Sequence, residues 1–258
     1  MELPHVAIPS YKRTSVCLHK TLKTLFAAHY PQSKITIFVA DDEEAVAYRQ
    51  MLRHTMPAVS VVVGRRGLQP QRAFIADYYP DGDTLLCMDD DVDGIKTLHG
   101  TDFCSLIRSG MKALADNQSG LWGVLPNDDG RKMKDETTKH LTHILGSFFL
   151  CVNRKDLVPT QTEKEDYERS ILYFKAYGSV LRYKGAGVQT TYMLQGGGLN
   201  TGDRKAEMSR GALALRQMYP AAVKVITKKD LPDVSLNWRC KVDEIAASGG
   251  EQEAGKEI

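Results

Sequence analysis

No stretch of the sequence approaches the roughly 18 uninterrupted apolar residues that a membrane-crossing helix needs. Met1 to Pro9 leads straight into a strand-like segment instead of a secretory leader. The expectation is a protein neither embedded in a membrane nor secreted. Cysteine is scarce as well. Cys17, Cys87, Cys104, Cys151 and Cys240 are odd in number, widely spaced and without a CxxC pair, which argues against a disulfide framework and a thiolate zinc site. They read as small core residues in a reducing cytoplasm. Neither sign of charge dominates: 34 Lys and Arg against 32 Asp and Glu leave a net charge of +2, which excludes a uniformly basic coat but permits a local basic groove. Internal repeats are absent, and so are low-complexity segments inside the fold. What is present, 258 residues, suffices for one full core and is short for two independent domains. A single domain over residues 1–243 is expected. Residues 244–258 lack apolar periodicity and read as a disordered tail.

Two periods alternate along the first half. Short apolar runs at His5–Ile8, Ile35–Ala40, Val59–Val63 and Thr84–Met88 read as buried strands. Between them, Leu18, Leu22, Leu25 and Phe26 fall on one helical face behind Ser15 as an N-cap, and Glu43–Met56 reads as a second helix. Buried strands separated by helices predict an α/β fold with a mixed, mainly parallel sheet covered by helices on both faces. Ligands gather at the carboxyl ends of such strands. Further on, Phe103, Leu106, Ile107, Met111 and Leu114 mark a helix; Leu121–Leu125 and Gly146–Val152 read as strands around a polar, loop-like insertion, Asn127–His143. Helices at Glu163–Tyr177 and Arg204–Met218 bracket strands near Val180–Tyr183 and Val188–Met193.

The chemistry concentrates at Cys87-Met88-Asp89-Asp90-Asp91-Val92-Asp93, where a buried strand runs into consecutive carboxylates. In extended chain Asp89 and Asp91 share a face while Asp90 turns aside. Two converging carboxylates repel unless a cation lies between them, and a hard divalent ion, Mn²⁺ or Mg²⁺, suits oxygen ligands completed by diphosphate and water. A solvated Asp-rich turn is the plainer alternative.

At these residues the sequence resembles the nucleotide-sugar glycosyltransferases of the GT-A (Rossmann-like) fold, whose DxD motif would here be Asp89-Asp90-Asp91, with Asp89 and Asp91 as metal ligands and Asp90 on the donor. The resemblance extends to Val6-Ala7-Ile8-Pro9-Ser10-Tyr11-Lys12-Arg13 as the strand and loop that receive the base. It also covers Asp41 as the carboxylate bonding that base, and Gly64–Arg72 as a segment closing over the nucleotide. It implies donor contacts from Pro9, Tyr11, Arg13, Asp41 and Arg72. Tyr11 offers a ring for stacking, and Arg13 or Arg72 a guanidinium for phosphate. Asp41 as a plain helix cap and Arg65-Arg66 as a solvated pair are the competing readings.

Acidic residues favour the start of a helix in any case, which accounts for Glu163 and Glu168. Glu165-Asp166 resembles the carboxylate pair that supplies the general base in many such transferases, with Asp166 the first choice and Glu165 its rival. In the run Gln195–Arg204, three glycines would let backbone at Gly197 approach the diphosphate while Arg204 neutralises it; a plain connecting loop is equally compatible. The carboxyl-terminal half, through Glu165–Glu168, Arg182-Tyr183, Gly196–Gly198 and Tyr219-Pro220, is similar to the TET-associated and base-J-type glucosyltransferases found largely in phages. That likeness implies transfer of a sugar, glucose first, from a UDP-sugar such as UDP-glucose to the hydroxymethyl group of a modified pyrimidine in double-stranded DNA, in the host cytoplasm. Phosphate contacts would then fall to Arg131, Lys132, Lys134, Lys205, Arg210 and Lys228-Lys229. Two other functions fit the same residues: a transferase acting on a polysaccharide, lipid or protein, and a nucleotide-binding protein without transfer activity.

Overall fold

The computed structural model describes residues 1–190, 204–228 and 231–247. Strand β1 (His5–Pro9) leads into one continuous helical segment made of α1 (Thr14–Cys17), a π-helical turn (Leu18–Leu22) and α2 (Lys23–Ala27). Then come β2 (Ile35–Val39), α3 (Asp42–Leu52), β3 (Ser60–Val63), α4 (Leu68–Tyr78) and β4 (Thr84–Met88). β1 pairs in parallel with β2 on one side and β4 on the other, and β2 with β3. Strands covered on both faces cannot alternate apolar with polar residues, which is why ITIFV is buried along its whole length. The first helix starts at Thr14, one residue before the expected Ser15 cap, and Arg13 takes the N-cap position without a side-chain bond.

The second half mixes both strand directions. It contains β5 (Val92–Thr97), α5 (Phe103–Asp116), β6 (Leu121–Leu125), β7 (Thr137–Thr138), β8 (Phe148–Val152), α6 (Glu165–Tyr177) and β9 (Leu181–Thr190). The sheet runs β3-β2-β1-β4-β8-β6-β9-β5, with β7 on β9. β1, β2, β3, β4, β6 and β9 point one way and β5, β7 and β8 the other, so the sheet is mixed and mainly parallel. One core packs Cys17, Leu25, Tyr48 and Ile107 against Val6, Ile8 and Leu86. The other packs Ile75, Ile171 and Leu215 against Ala7, Phe38 and Leu85. Helices therefore cover both faces, as expected.

Four local expectations change. The two strands foreseen on either side of Gly185 are one strand, β9, which shifts register against β6 between Tyr183 and Gly187; residues 191–193 lie outside the described residues. The insertion at 127–143 is not a free loop: Met133 and Leu141 are buried, and β7 ties it to β9. A hairpin of β10 (Val223–Lys228) and β11 (Leu231–Leu236) follows α7 (Arg204–Met218); β10 buries only Val223, so its residues carry no periodic signal. Helix α8 (Val242–Ala247) extends the folded chain past the boundary expected at residue 243, because Ile245 is buried against the second core.

Candidate active site

Parallel pairing brings the carboxyl ends of β1, β2 and β4 to one edge, and the acidic run leaves β4 there. Asp90 turns inward. Its carboxylate accepts from the Ser10 hydroxyl at 2.5 Å and from Arg13 Nη1 at 3.1 Å, and Ser10 in turn lies 2.6 Å from the Tyr48 hydroxyl. Asp89 and Asp91 point to the rim, with side chains 32% and 30% exposed. Arg72 Nη2 meets Asp89 at 2.8 Å, and Arg13 Nη1 meets Asp91 at 3.2 Å. The alternation expected of extended chain is therefore present.

Three carboxylates share two guanidiniums, and this excess of acid favours protonation within the cluster. Burial raises Asp89 to about 7 against the pull of Arg72, with Asp91 and Asp90 adding to the rise. Asp90 is raised to about 6 by burial, opposed by the Ser10 bond and Arg13. Among the described residues no group of three or more His, Cys, Asp and Glu is arranged to hold a metal ion alone. The donor set nonetheless suits a hard divalent cation: two rim carboxylates, each with one oxygen engaged by arginine and the other open. Phosphate and water would have to complete the shell.

The π-helical turn holds this loop in place. The Thr21 hydroxyl, projected from it, donates to the Asp89 carbonyl at 2.6 Å and accepts from the Val92 N–H at 3.0 Å, clamping the chain on both sides of Asp90-Asp91. Thr24 donates to the Asp93 carbonyl at 3.0 Å, and Lys20 pairs with Asp93 at 3.2 Å. Single π turns recur at functional sites because they re-aim one side chain without ending a helix.

At the ends of β1 and β2, Pro9 lies beside Phe38. The buried Glu44 carboxylate accepts from the Ala40 N–H at 2.9 Å and from the Lys12 N–H, joining the loops that follow β2 and β1; Lys12 adopts a left-handed backbone, φ 53°. Asp41 caps α3, accepting from the Glu44 N–H at 2.9 Å, so one of its oxygens is committed to the helix. The Tyr11 ring lies under Arg66, with the guanidinium carbon 5.3 Å from the ring centre. Arg65 and Arg66 are both exposed, as the solvated-pair reading expects, with Arg66 resting on this ring. Arg72 spans two parts of the fold. Only 6% exposed, it bridges Asp89 to the Gly146 carbonyl at 2.8 Å and lies over the Phe149 ring, with Nε and Nη1 buried and without a hydrogen-bond partner among the described residues.

That bridge joins the two halves of the site. Gly146 abuts the start of α6: a Cβ there would sit 2.9 Å from Glu165 Oε1 and 3.4 Å from Asp166 Cβ. Glu165 is withdrawn as a base because it is buried and ion-paired to Arg169, which lies over Phe149. Asp166 is less buried, its side chain 21% exposed, and its Oδ1 accepts from the Tyr167 N–H at 3.0 Å. His143 Nε2 lies 2.7 Å from the Asp166 carboxylate and the His143 ring stacks on Tyr167 at 3.9 Å. Burial alone would raise Asp166, but the charge and hydrogen bond of His143, with Arg169, hold it below the usual carboxylate range. His143 and Thr21 carry no motif that the sequence advertises; Ser10 lies inside the strand-end loop already singled out.

Gly197 lies outside the described residues, as do Lys229 and the side chains of Arg204 and Lys205. Of the expected phosphate contacts, Arg131 and Lys132 turn to their own Asp129, at 2.9 and 3.8 Å, and Lys228 pairs with Asp233 at 3.7 Å.

Comparison with solved structures decides what this arrangement of strands is. The chain is similar to S. aureus TarS residues 1–349, at 14% identity and TM-score 0.50 over 71% of this chain and 58% of that one. It is similar to the mannosyltransferase PcManGT of Pyrobaculum calidifontis, solved with GDP-Man and Mn²⁺, at 14% identity and TM-score 0.51 over 71% and 55%. It is also similar to GalNAc-T7, solved with UDP, GalNAc and Mn²⁺, at 12% identity and TM-score 0.56 over 84% and 48%. The fold is that of the GT-A glycosyltransferases. The chain spans about half the length of these structures. No family model matches the sequence, and no curated protein matches it. At such low identity the GT-A likeness establishes the fold alone, and the chemistry rests on the residues above.

Proposed function

We propose that the chain is a metal-dependent glycosyltransferase that moves a sugar, glucose first, from a UDP-sugar to the hydroxymethyl group of a modified pyrimidine in DNA. One observation carries the enzymatic part: Arg72 links Asp89, at the acidic rim, to Gly146, against which Asp166 packs. The chain of contacts from the acidic rim through Arg72 and Gly146 to Asp166 supports reading the two carboxylate groups as parts of one site, on a fold whose solved examples hold GDP-Man with Mn²⁺ or UDP and GalNAc with Mn²⁺. The DNA acceptor and the glucose follow from the motif likeness in the carboxyl-terminal half.

A divalent ion held by Asp89 and Asp91 supplies positive charge to the leaving diphosphate when bound. The chain's own groups do the rest. Tyr11, with Arg66 over its ring, offers a stacking face to the base, and the uncommitted oxygen of Asp41 accepts from it. The acceptor oxygen forms a bond to the anomeric carbon as the sugar–diphosphate bond breaks, and its proton passes to Asp166, which His143 orients. UDP leaves as the second product.

The test is transfer from UDP-[¹⁴C]glucose, with and without Mn²⁺, to duplex DNA containing 5-hydroxymethylcytosine. Label in the DNA is the expected result. Label entering only a glycan overturns the acceptor, and failure to turn over any nucleotide sugar under either condition overturns the enzyme.

A further inference from the structure

Beside Asp166 the molecule opens a cavity of about 460 Å³ between the end of the insertion, the first turn of α6, β9 and β11. His143, which holds Asp166, is part of its wall, so the cavity adjoins the proposed base. Its walls include His140, Tyr167, Arg182, Ser235 and Trp238 and contain no carboxylate.

Arg182 is the anomaly. Its Nη1 donates to the His143 carbonyl at 3.3 Å, but its Nε is buried without a partner, and among the described residues no carboxylate pairs with it. Burial works against its charge. A partly buried cation without an anion is costly, and an anionic ligand in the cavity would supply the missing charge. The other walls favour a ring. Trp238 is 58% exposed, with Arg239 over its ring at 4.7 Å and His140 tilted against it at 5.7 Å. The volume is in the range of small-ligand pockets, about 300–1,000 Å³, and near its lower end.

We infer that this cavity receives the acceptor nucleotide as a single unpaired unit, with a phosphate on Arg182 and the base along Trp238 and His140. Its hydroxymethyl group then faces Asp166. Enzymes that act on a base inside a duplex extrude it into a pocket of this kind. That the nucleotide belongs to DNA rests on the function proposed above; the anion-binding pocket does not.

Binding can be read without turnover, because Trp122 is buried while Trp238 lines the cavity, so changes in tryptophan fluorescence report on Trp238. The probe is thymidine 3′,5′-bisphosphate. A saturable signal is expected that excess UDP with Mn²⁺ leaves in place, and that weakens at least tenfold in Arg182→Gln. Ser235→Asp, which puts an anion in the cavity and leaves Arg182 untouched, should weaken it likewise. Thymidine without phosphate should bind at least tenfold more weakly. Displacement by UDP, unchanged affinity in both variants, or equal affinity for glucose 6-phosphate would each overturn the assignment. Transfer to hydroxymethylated DNA that proceeds equally well in Arg182→Gln also overturns it, while sparing the proposed activity. Arg182-dependent bisphosphate binding without any transfer to DNA supports the pocket and removes the activity.

Discussion

The Asp166 carboxylate and Nε2 of His143 lie 2.7 Å apart, and the same imidazole is stacked on Tyr167. Stacking fixes the plane of the ring and the hydrogen bond fixes the carboxylate, so the group proposed as base is held in one orientation on the first turn of α6. Asp166→Asn keeps the shape and the contact but cannot take a proton. Turnover should fall by about 10²–10⁴, with the donor dissociation constant, measured by calorimetry, unchanged within experimental scatter. A variant that fails to bind UDP-sugar would move Asp166 from proton transfer to donor binding.

The pH dependence has a definite sign. Burial would raise the Asp166 carboxyl, but His143 and Arg169 together depress it. A depressed pKa means that the ionised form stabilises the fold above the unfolded carboxylate value, and that this contribution disappears as pH falls through the lower folded value. Removing the imidazole in His143→Ala lets Asp166 rise, so the acid limb of kcat/KM should move toward neutral pH. Thermal stability should also begin to decline at a higher pH on acidification. An acid limb that stays in place, with kcat alone reduced, would show that His143 does not set the charge of Asp166.

Thr21 tests whether the π turn matters to the site. Thr21→Val is nearly isosteric, yet it leaves the Val92 N–H without its acceptor and the Asp89 carbonyl without its donor in a buried setting. Leaving buried groups unsatisfied costs about 1–3 kcal/mol. Denaturant unfolding should show that loss, and the Mn²⁺ concentration needed for half-maximal transfer should rise because Asp89 and Asp91 are no longer held in register. A variant as stable and as metal-sensitive as the parent would reduce Thr21 to filler.

The parts of this molecule readable from sequence are those where one element suffices. Thr84–Met88 is apolar throughout and then acidic, which states both a doubly covered strand and a charged end. Alternation along extended chain likewise separates Asp90 from Asp89 and Asp91. What the sequence hides depends on two distant segments meeting. Glu165 and Asp166 are adjacent acids on one helix start, and only the arrival of Arg169 at one and His143 at the other tells them apart. Arg72 looks like any arginine one turn into a helix until the turn before β8 brings the Gly146 carbonyl beside it. β5 was concealed because it begins inside the acidic run, and the β10–β11 hairpin because most of its side chains face water.

Asp91 and Asp90 are neighbours with opposite expected responses, and the contrast tests the metal site. Asp91 is about a third exposed and, among the described residues, its one ion pair is to Arg13, an arrangement worth at most about 1 kcal/mol. Asp91→Asn should therefore melt close to the parent temperature while losing its response to Mn²⁺, because an amide oxygen is a poorer ligand for a hard cation than a carboxylate. Asp90 is buried and accepts from both Ser10 and Arg13. Asp90→Asn removes charge from the inner side of the cluster and leaves Arg13 with a neutral partner, so its main effect should be a lower melting temperature. Residual transfer should keep the parent's Mn²⁺ dependence. If Asp91→Asn retains full Mn²⁺-stimulated transfer, the rim carboxylates do not hold the ion, and the acidic run serves only to anchor Arg13 and Arg72.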